Sequence, residues 1–258
     1  MEKIKNLIKD FSKKKLDGYI VPKNDEFFTE YTPQHKDNLK LVSNFTGSFG
    51  YALILKKNNY LLVDGRYSIQ AKSQSGKYYK IVPLPLKKDL DLKNKLIGFN
   101  PKLFNQITIN NLSKKLNCKF ISTSTNVFNA KNIKEKIEKF YFLKDTVSGE
   151  NYLSKIKKII SFLKKKKINI IVITAPENVA WLLNIRGEDS KYSPIPNSYL
   201  TIDDKKNISL FCGKYKITPK LKRQLKNIDI KDINYFNIFL KKISFKKISI
   251  DALTCSIY

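Results

Sequence analysis

The chain has 258 residues, 42% of them apolar, with 50 lysines and arginines against 22 acids and a formal charge of +28. The apolar share excludes a disordered chain, and no apolar run reaches the length needed to span a bilayer. The length suits one large domain or two of ordinary size. Such a basic balance invites a nucleic-acid reading. Against it, the only arginines are Arg66, Arg186 and Arg223, so the remaining 47 basic residues are lysines. Base readers and phosphate clamps favour the planar guanidinium fork over a lysine point charge. The lysines are spread along the chain, and its Lys, Asn, Ile, Phe and Tyr content matches A/T-rich codons, so genome bias is the simpler reading.

Residues 2–15 read as a helix, because Ile4, Leu7, Ile8 and Phe11 recur at helical spacing. This start lacks the unbroken apolar core of a secretory signal, and its acids Glu2 and Asp10 oppose a transit peptide. Residues 18–22 read as a short buried strand. Residues 51–56 and 60–64 read as a hairpin around Lys57-Asn58-Asn59. A helix is expected over 67–75, strands over 81–84 and 96–99, a mostly helical stretch over 101–116 and a strand over 118–121. Residues 122–134 are polar and aperiodic, which places a domain boundary there, giving domains 1–132 and 133–258.

In the second half, Ser148 is expected to cap a helix whose Tyr152, Ile156, Ile159, Ile160 and Leu163 share a face. A β-branched strand over 168–174 follows, then a short helix opened by Pro176 and Glu177. Residues 199–202 and 208–211 read as another hairpin, followed by a helix near 216–225. The two halves run in the same order. LVDGRY ends the first hairpin and LFCGKY the second, with Gly65 and Gly213 in matching places. LIGFNPKLF in the first half aligns with ISIDALTCS in the second, a weak internal repeat. The repeat leads to the expectation that a helix and a strand continue the fold after Tyr258, so the second domain reads as incomplete.

Three stretches stand out from the lysine-rich background. In residues 44–50, NFTGSFG, two glycines precede a strand and suit a tight turn or a close backbone approach; the pattern lacks the features of a phosphate loop. In Asp64-Gly65-Arg66-Tyr67, Asp64 can cap the next helix and Gly65 permits the turn. Arg66 is an arginine in a chain that otherwise chooses lysine, so it needs its fork, either for a ligand or for an ion pair with Glu30 or Asp64. In residues 180–189, AWLLNIRGED, Trp181 reads as a core anchor and the glycine as a helix terminator. Arg186 reads as a domain-packing residue or a partner of Glu188 or Asp189. His35 is the only histidine, and Cys118, Cys212 and Cys255 have no C-x-x-C pairing, so no triad or multi-histidine metal site is visible. The cysteines read as reduced residues of a cytoplasmic protein.

These stretches, in this order, together with the loop Pro22-Lys23-Asn24-Asp25-Glu26, resemble the three-domain Xaa-Pro aminopeptidases of the creatinase/prolidase type. Asn44 stands where that family usually has glycine. VDGRYSIQA and AWLLNIRGEDSKYSPIPNSYL are similar to family segments of the first and second domains. The resemblance implies an α/β fold of two related domains, each a mixed sheet flanked by helices. It implies that Arg66 binds peptide substrate, with Asp64, Gly65, Tyr67, Trp181 and Arg186 supporting a turn or a domain interface. It implies no catalytic or metal-binding residue here, and two divalent metal ions, usually manganese, in a C-terminal catalytic domain outside this chain. The expected partners are that catalytic domain, a peptide with proline in second position, and a second copy in a homodimer, with no membrane and nucleic acid disfavoured. The alternatives are a free-standing peptide- or partner-binding module and a basic nucleic-acid-associated protein.

Overall fold

The computed structural model describes residues 2–86, 90, 92–128 and 138–258. They form two compact units: Met1–Ile133 with Ser256–Tyr258, and Lys134–Cys255. The expected boundary between residues 132 and 133 lies outside the described residues.

Unit 1 opens with helix α1 (Glu2–Lys13), whose Ile4, Leu7 and Phe11 are buried. Strand β1 (Gly18–Pro22) follows, then helix α2 (Asn38–Ser43). The expected hairpin is β2 (Gly50–Leu55) and β3 (Asn59–Asp64). Helix α3 (Ser68–Ser75), strands β4 (Lys80–Leu84) and β5 (Leu96–Phe99), helix α4 (Gln106–Leu116) and strand β6 (Lys119–Ser122) complete the unit. The strands form a mixed sheet in the order β4-β3-β2-β1-β5-β6. Strand β1 pairs antiparallel with β2 and parallel with β5.

Alternation along the strands sends successive side chains to opposite faces. Tyr19 and Val21 pack with Leu7, Phe11, Leu39 and Ala71 from α1–α3. Ile20 turns to the other face, with Ile109, Leu112 and Leu116 of α4. Each such fully buried Leu or Ile is worth roughly 1.5–3 kcal/mol relative to exposure. The helix expected over 101–116 is interrupted. Phe104 is extended and fully buried, stacked on Tyr51 at 6.0 Å and edge-on to Phe99 at 5.7 Å. Burying that ring breaks the helical path, and Asn105 restarts it by accepting from the Thr108 N–H at 2.7 Å.

Unit 2 contains strand β7 (Tyr141–Phe142), the single-turn helix α5 (Asp145–Ser148), helix α6 (Tyr152–Lys165), strand β8 (Ile170–Ile173), helix α7 (Pro176–Leu183) and strand β9 (Ile185–Arg186). Then come the hairpin β10 (Tyr199–Asp203) and β11 (Ile208–Cys212), helix α8 (Pro219–Gln224), strand β12 (Asp229–Asp232), helix α9 (Phe236–Lys242) and strand β13 (Ile248–Ile250). Ser148 does not cap α6. It ends α5, where Gly149 takes a left-handed conformation (φ 78°), and Asn151 caps α6 by accepting from the Leu153 N–H at 2.9 Å.

The repeat read from the sequence is a repeat of topology. The sheet order β12-β11-β10-β8-β13 has the same parallel and antiparallel pairings as β4-β3-β2-β1-β5. Helices α6–α8 cover one face, over Leu200, Ile202 and Leu210. Helix α9 covers the other, over Ile170, Val172 and Phe211. Among the described residues, β13 has no counterpart of β6 beside it.

Candidate functional site

The register of unit 1 gathers its three informative stretches at one end of the sheet. Pro22, which leads into the first loop, pairs with Tyr51. Gly50, the last residue of NFTGSFG, pairs with Val63, immediately before Asp64. Side chains then join the loops. The Ser48 and Tyr67 hydroxyls lie 2.9 Å apart, and the Phe45 and Tyr67 rings meet edge-on at 5.8 Å. The Thr46 N–H donates to Gln74 Oε1 at 2.9 Å.

Each stretch has a local reason for its shape. Asn44 ends α2 in the left-handed region (φ 62°), a conformation open to glycine and tolerated by asparagine, so it fills a glycine position without changing the turn. A Cβ on Gly50 would lie 2.9 Å from the Leu62 carbonyl, the close backbone approach the sequence suggested. Asp25 is buried, and its carboxylate accepts from the Phe27 N–H (3.0 Å), the Thr29 N–H (3.3 Å) and Thr29 Oγ1 (3.1 Å). Burial pushes its carboxyl above the usual range, with Glu26 adding to the shift. Lys23 forms a buried ion pair with Asp37, which caps α2 by accepting from the Lys40 N–H at 3.0 Å. These bonds staple the loop after β1 to the start of α2.

Arg66 stands at the open side of this end, its side chain 78% exposed. Asp64 accepts from the Arg66 backbone N–H at 3.0 Å and holds the guanidinium through Nε at 2.9 Å and Nη2 at 3.2 Å. The hydrogen bonds from Arg66 hold the Asp64 carboxyl below the usual carboxylate range. The fork fixes the direction of the guanidinium and leaves Nη1 for a further acceptor. Of the two partners weighed for Arg66, Asp64 is the one engaged. Gly65 is not needed by the turn: a Cβ there would meet nothing within 4 Å.

Unit 2 places Trp181 away from the core and settles which side-chain partners Arg186 lacks. Helix α7 turns Pro176, Val179, Ala180, Leu182 and Leu183 inward, so Trp181 lies on the opposite side and is 57% exposed. It is not a core anchor. Its ring instead covers Lys155 Nζ at 4.5 Å. Lys155 is buried and donates to the Trp181 carbonyl at 2.8 Å and to Asn184 Oδ1 at 2.7 Å. Burial lowers its pKa. Arg186 does not pair with Glu188 or Asp189. Its Nη1 donates to the carbonyls of Ala180 (2.9 Å) and Ile185 (2.8 Å), the first of which also accepts the Asn184 N–H that closes α7. Asp189 forms a buried ion pair with Lys216. The helix ends at Asn184, left-handed at φ 54°, and not at Gly187. Gly187 is required by crowding, since a Cβ would sit 2.8 Å from the Phe140 ring and 3.0 Å from Pro196 Cα. Sequence reading missed Lys155 and Lys216, because their partners arrive from other elements.

Among the described residues, no group of three or more His, Cys, Asp or Glu side chains could hold a metal ion. His35 is half-buried on a short turn, Gln34–Lys36. Cys118 and Cys212 are buried and Cys255 half-buried, all three as free thiols. Burial pushes the Cys118 thiol up to about 11 and the Cys212 thiol up to about 12. The chemistry on offer is recognition by a held guanidinium.

Two family profiles, both described as the creatinase/prolidase N-terminal domain, match residues 3–130 and 131–258. The chain belongs to the creatinase/prolidase N-terminal domain family. These domains are similar to Xaa-Pro aminopeptidase 1 of Dictyostelium discoideum, 29% identical over 249 residues, covering 87% of this chain and 39% of that protein. Xaa-Pro aminopeptidase 2 of Rattus norvegicus is 28% identical over 230 residues, covering 82% of this chain and 34% of that protein. The solved X-prolyl aminopeptidase of Caenorhabditis elegans, described as a cytosolic enzyme with a di-nuclear active site, shares the fold with a TM-score of 0.82 at 23% identity. That match covers 96% of this chain and 46% of the worm protein. The creatinase-like chain thus spans less than half the length of these relatives and corresponds to their N-terminal, non-catalytic domains.

Proposed function

We propose that these two creatinase-like domains, residues 1–132 and 133–258, are the substrate-shaping N-terminal part of a cytoplasmic Xaa-Pro aminopeptidase, which removes an N-terminal residue that precedes proline. The observation that carries this reading is the convergence of three loops at one end of the first sheet, with Arg66 held there by Asp64 and open to solvent. In this reading Arg66 Nη1 donates to a carbonyl or carboxylate of the peptide. Asp64 aims it, and Tyr67, bonded to Ser48, fixes the turn beneath. Trp181 and Arg186 belong to the surface of unit 2 that supports domain packing. The described residues do not fit a di-nuclear metal centre. In this reading the two divalent ions, and the activation of water, belong to a separate C-terminal catalytic domain of the longer protein.

The test uses the longer protein that carries this region. Arg66→Lys is expected to lower kcat/KM for an Xaa-Pro peptide at least tenfold while metal content and melting temperature stay unchanged. Asp64→Asn, which loosens the aim but leaves the cation, is expected to lower it less. Unchanged kinetics in Arg66→Lys would refute the substrate role. A reading frame that stops at residue 258, without spaced Asp, His and Glu ligands after it, would refute the aminopeptidase reading.

A further inference from the structure

The lysines are spread along the chain, but the fold does not spread them in space. In unit 2, Ile170 at the start of β8 pairs with Asp203 at the end of β10 and with Ile248 at the start of β13. Three lysine pairs or runs flank these residues. Lys164, Lys165, Lys166 and Lys167 close α6 just before β8, Lys205 and Lys206 form the turn after β10, and Lys246 and Lys247 precede β13. Hydrogen bonds hold the three segments together. Asn169 donates to the Lys247 carbonyl at 3.0 Å and accepts the Lys247 N–H at 2.9 Å, and its own carbonyl accepts from Asp204 N–H at 3.0 Å. Lys247 Nζ reaches the Lys166 carbonyl at 3.4 Å. All these lysines except the half-buried Lys246 are exposed.

Acids stand at both ends of this sheet: Glu177, Asp189, Asp232 and Asp251 follow or flank the strand ends at the far end, where Lys216 is spent on Asp189, and Asp203, Asp204 and Asp229 lie at the lysine end, where the eight lysines outnumber them. At the lysine end, Asp203 is buried and turned inward, accepting from the Lys205 and Asn207 N–H groups. A cleft of about 390 Å³ opens beside it, lined among others by Lys206, Lys231 and Lys246 together with Asp203, Asp229, Asn207 and Asn227, and there Lys231 pairs with Asp229 at 2.8 Å. Two exposed rings lie among the lysines by position: Phe162, one turn before Lys166 on α6, and Phe245, 83% exposed and next to Lys246. Unit 1 repeats the pattern within itself. Gly18 pairs with Leu55 and Ile97, and Lys13–Lys15, Lys56, Lys57 and Lys95 flank those residues.

We infer that the lysine end of unit 2 binds the backbone of a single-stranded nucleic acid without reading its sequence. Lysines at this density neutralise successive phosphates and release counterions, while an exposed phenylalanine offers a face for a base to stack on. Lysine point charges in place of arginine forks suit phosphate contact over base recognition.

The experiment measures fluorescence anisotropy of a labelled oligouridylate of about 20 nucleotides with the 258-residue chain, across a series of KCl concentrations. Lys164→Gln, Lys165→Gln, Lys205→Gln and Lys247→Gln are combined in one variant. A control variant combines Lys144→Gln, Lys191→Gln, Lys214→Gln and Lys220→Gln, exposed lysines placed away from this end. Net charge falls equally in both. The first variant is expected to bind at least tenfold more weakly and to lose about 2–3 units of salt slope, since each lost phosphate contact removes about 0.7. The control is expected to stay within twofold. Circular dichroism of both variants checks that the fold is kept. Equal weakening in the two variants would overturn the proposal, leaving diffuse charge as the cause. So would preference for phosphatidylserine vesicles over the oligonucleotide, or no binding at about 150 mM salt.

Discussion

Lys216→Met tests the buried pair that Lys216 forms with Asp189 in unit 2. The Asp189 and Lys216 side chains are 7% and 11% exposed. Asp189 Oδ1 takes Lys216, and Oδ2 takes the Asn197 N–H at 2.7 Å. Methionine keeps most of the apolar stem beside Phe140 but leaves the carboxylate buried with that one N–H. Removing one partner of a buried pair costs ~3–5 kcal/mol, because the other charge stays desolvated and uncompensated. Against a typical domain stability of about 5–15 kcal/mol, that is a large fraction. Asp189→Asn should cost a comparable amount by stranding the ammonium. The double variant strands neither charge, so it should be more stable than the sum of the singles by ~1–3 kcal/mol. Urea unfolding followed by fluorescence reads the right unit, because Trp181 is the only tryptophan and lies in unit 2. Single-variant losses below about 1 kcal/mol, or additive losses in the double, would refute the assignment of a desolvated, mutually dependent pair.

Gly187→Ala should destabilise unit 2 by ~1–3 kcal/mol, as its Cβ meets the Phe140 ring and Pro196, whereas Gly65→Ala should change stability by no more than about 1 kcal/mol; both are read by thermal melts. Asn151→Ala should cost ~1 kcal/mol through the lost α6 cap, and Ser148→Ala less than about 0.5 kcal/mol. At pH 8 the native chain should expose no rapidly reacting thiol at Cys118 or Cys212, and all three cysteines should react with a thiol reagent in urea. The same two thiols make stability fall in alkali. Their folded pKa values are raised from 9.0 to about 11 and about 12, so their contribution is complete below pH 9 and is lost as pH climbs through those values. Cys212→Ala should flatten that fall in a series of melts above pH 9.

Much of the fold is legible because its signals are local. The β-branched run of β8 and the polar turns of both hairpins are set by neighbouring residues, and β1 to β5 fall within a residue or two of their expected bounds. The repeat is also visible, since hairpin, turn and helix recur in order. The misses share a different cause. WLL in α7 is apolar all round, so its pattern does not say that Trp181 faces outward; the pull of Leu182, Leu183 and Val179 toward the sheet decides that. Phe104 leaves the helical path for an aromatic cluster built from β2 and β5. Lys216 outcompetes Arg186 for Asp189 because the short turn Lys214–Lys216 after β11 delivers it from 27 residues away. Arg66 was legible as a residue needing its fork, and its partner lies two positions back, within reach of sequence reasoning.

The pairing of β8 with β13 has a consequence for how the chain is born. Ile170 and its parallel partner Ile248 are 78 residues apart, while the hairpin on the other side of β8 forms from closer segments. At ribosomal speeds of about 5–20 residues per second, β8 waits roughly 4–16 s for its second neighbour to be made. Through that interval one backbone edge of β8, flanked by Ile170 and Val172, has no native partner. The nascent chain is therefore most open to chaperone capture and to mispairing while α8, β12 and α9 are being synthesised, and substitutions in those late elements should act on yield before they act on the finished fold.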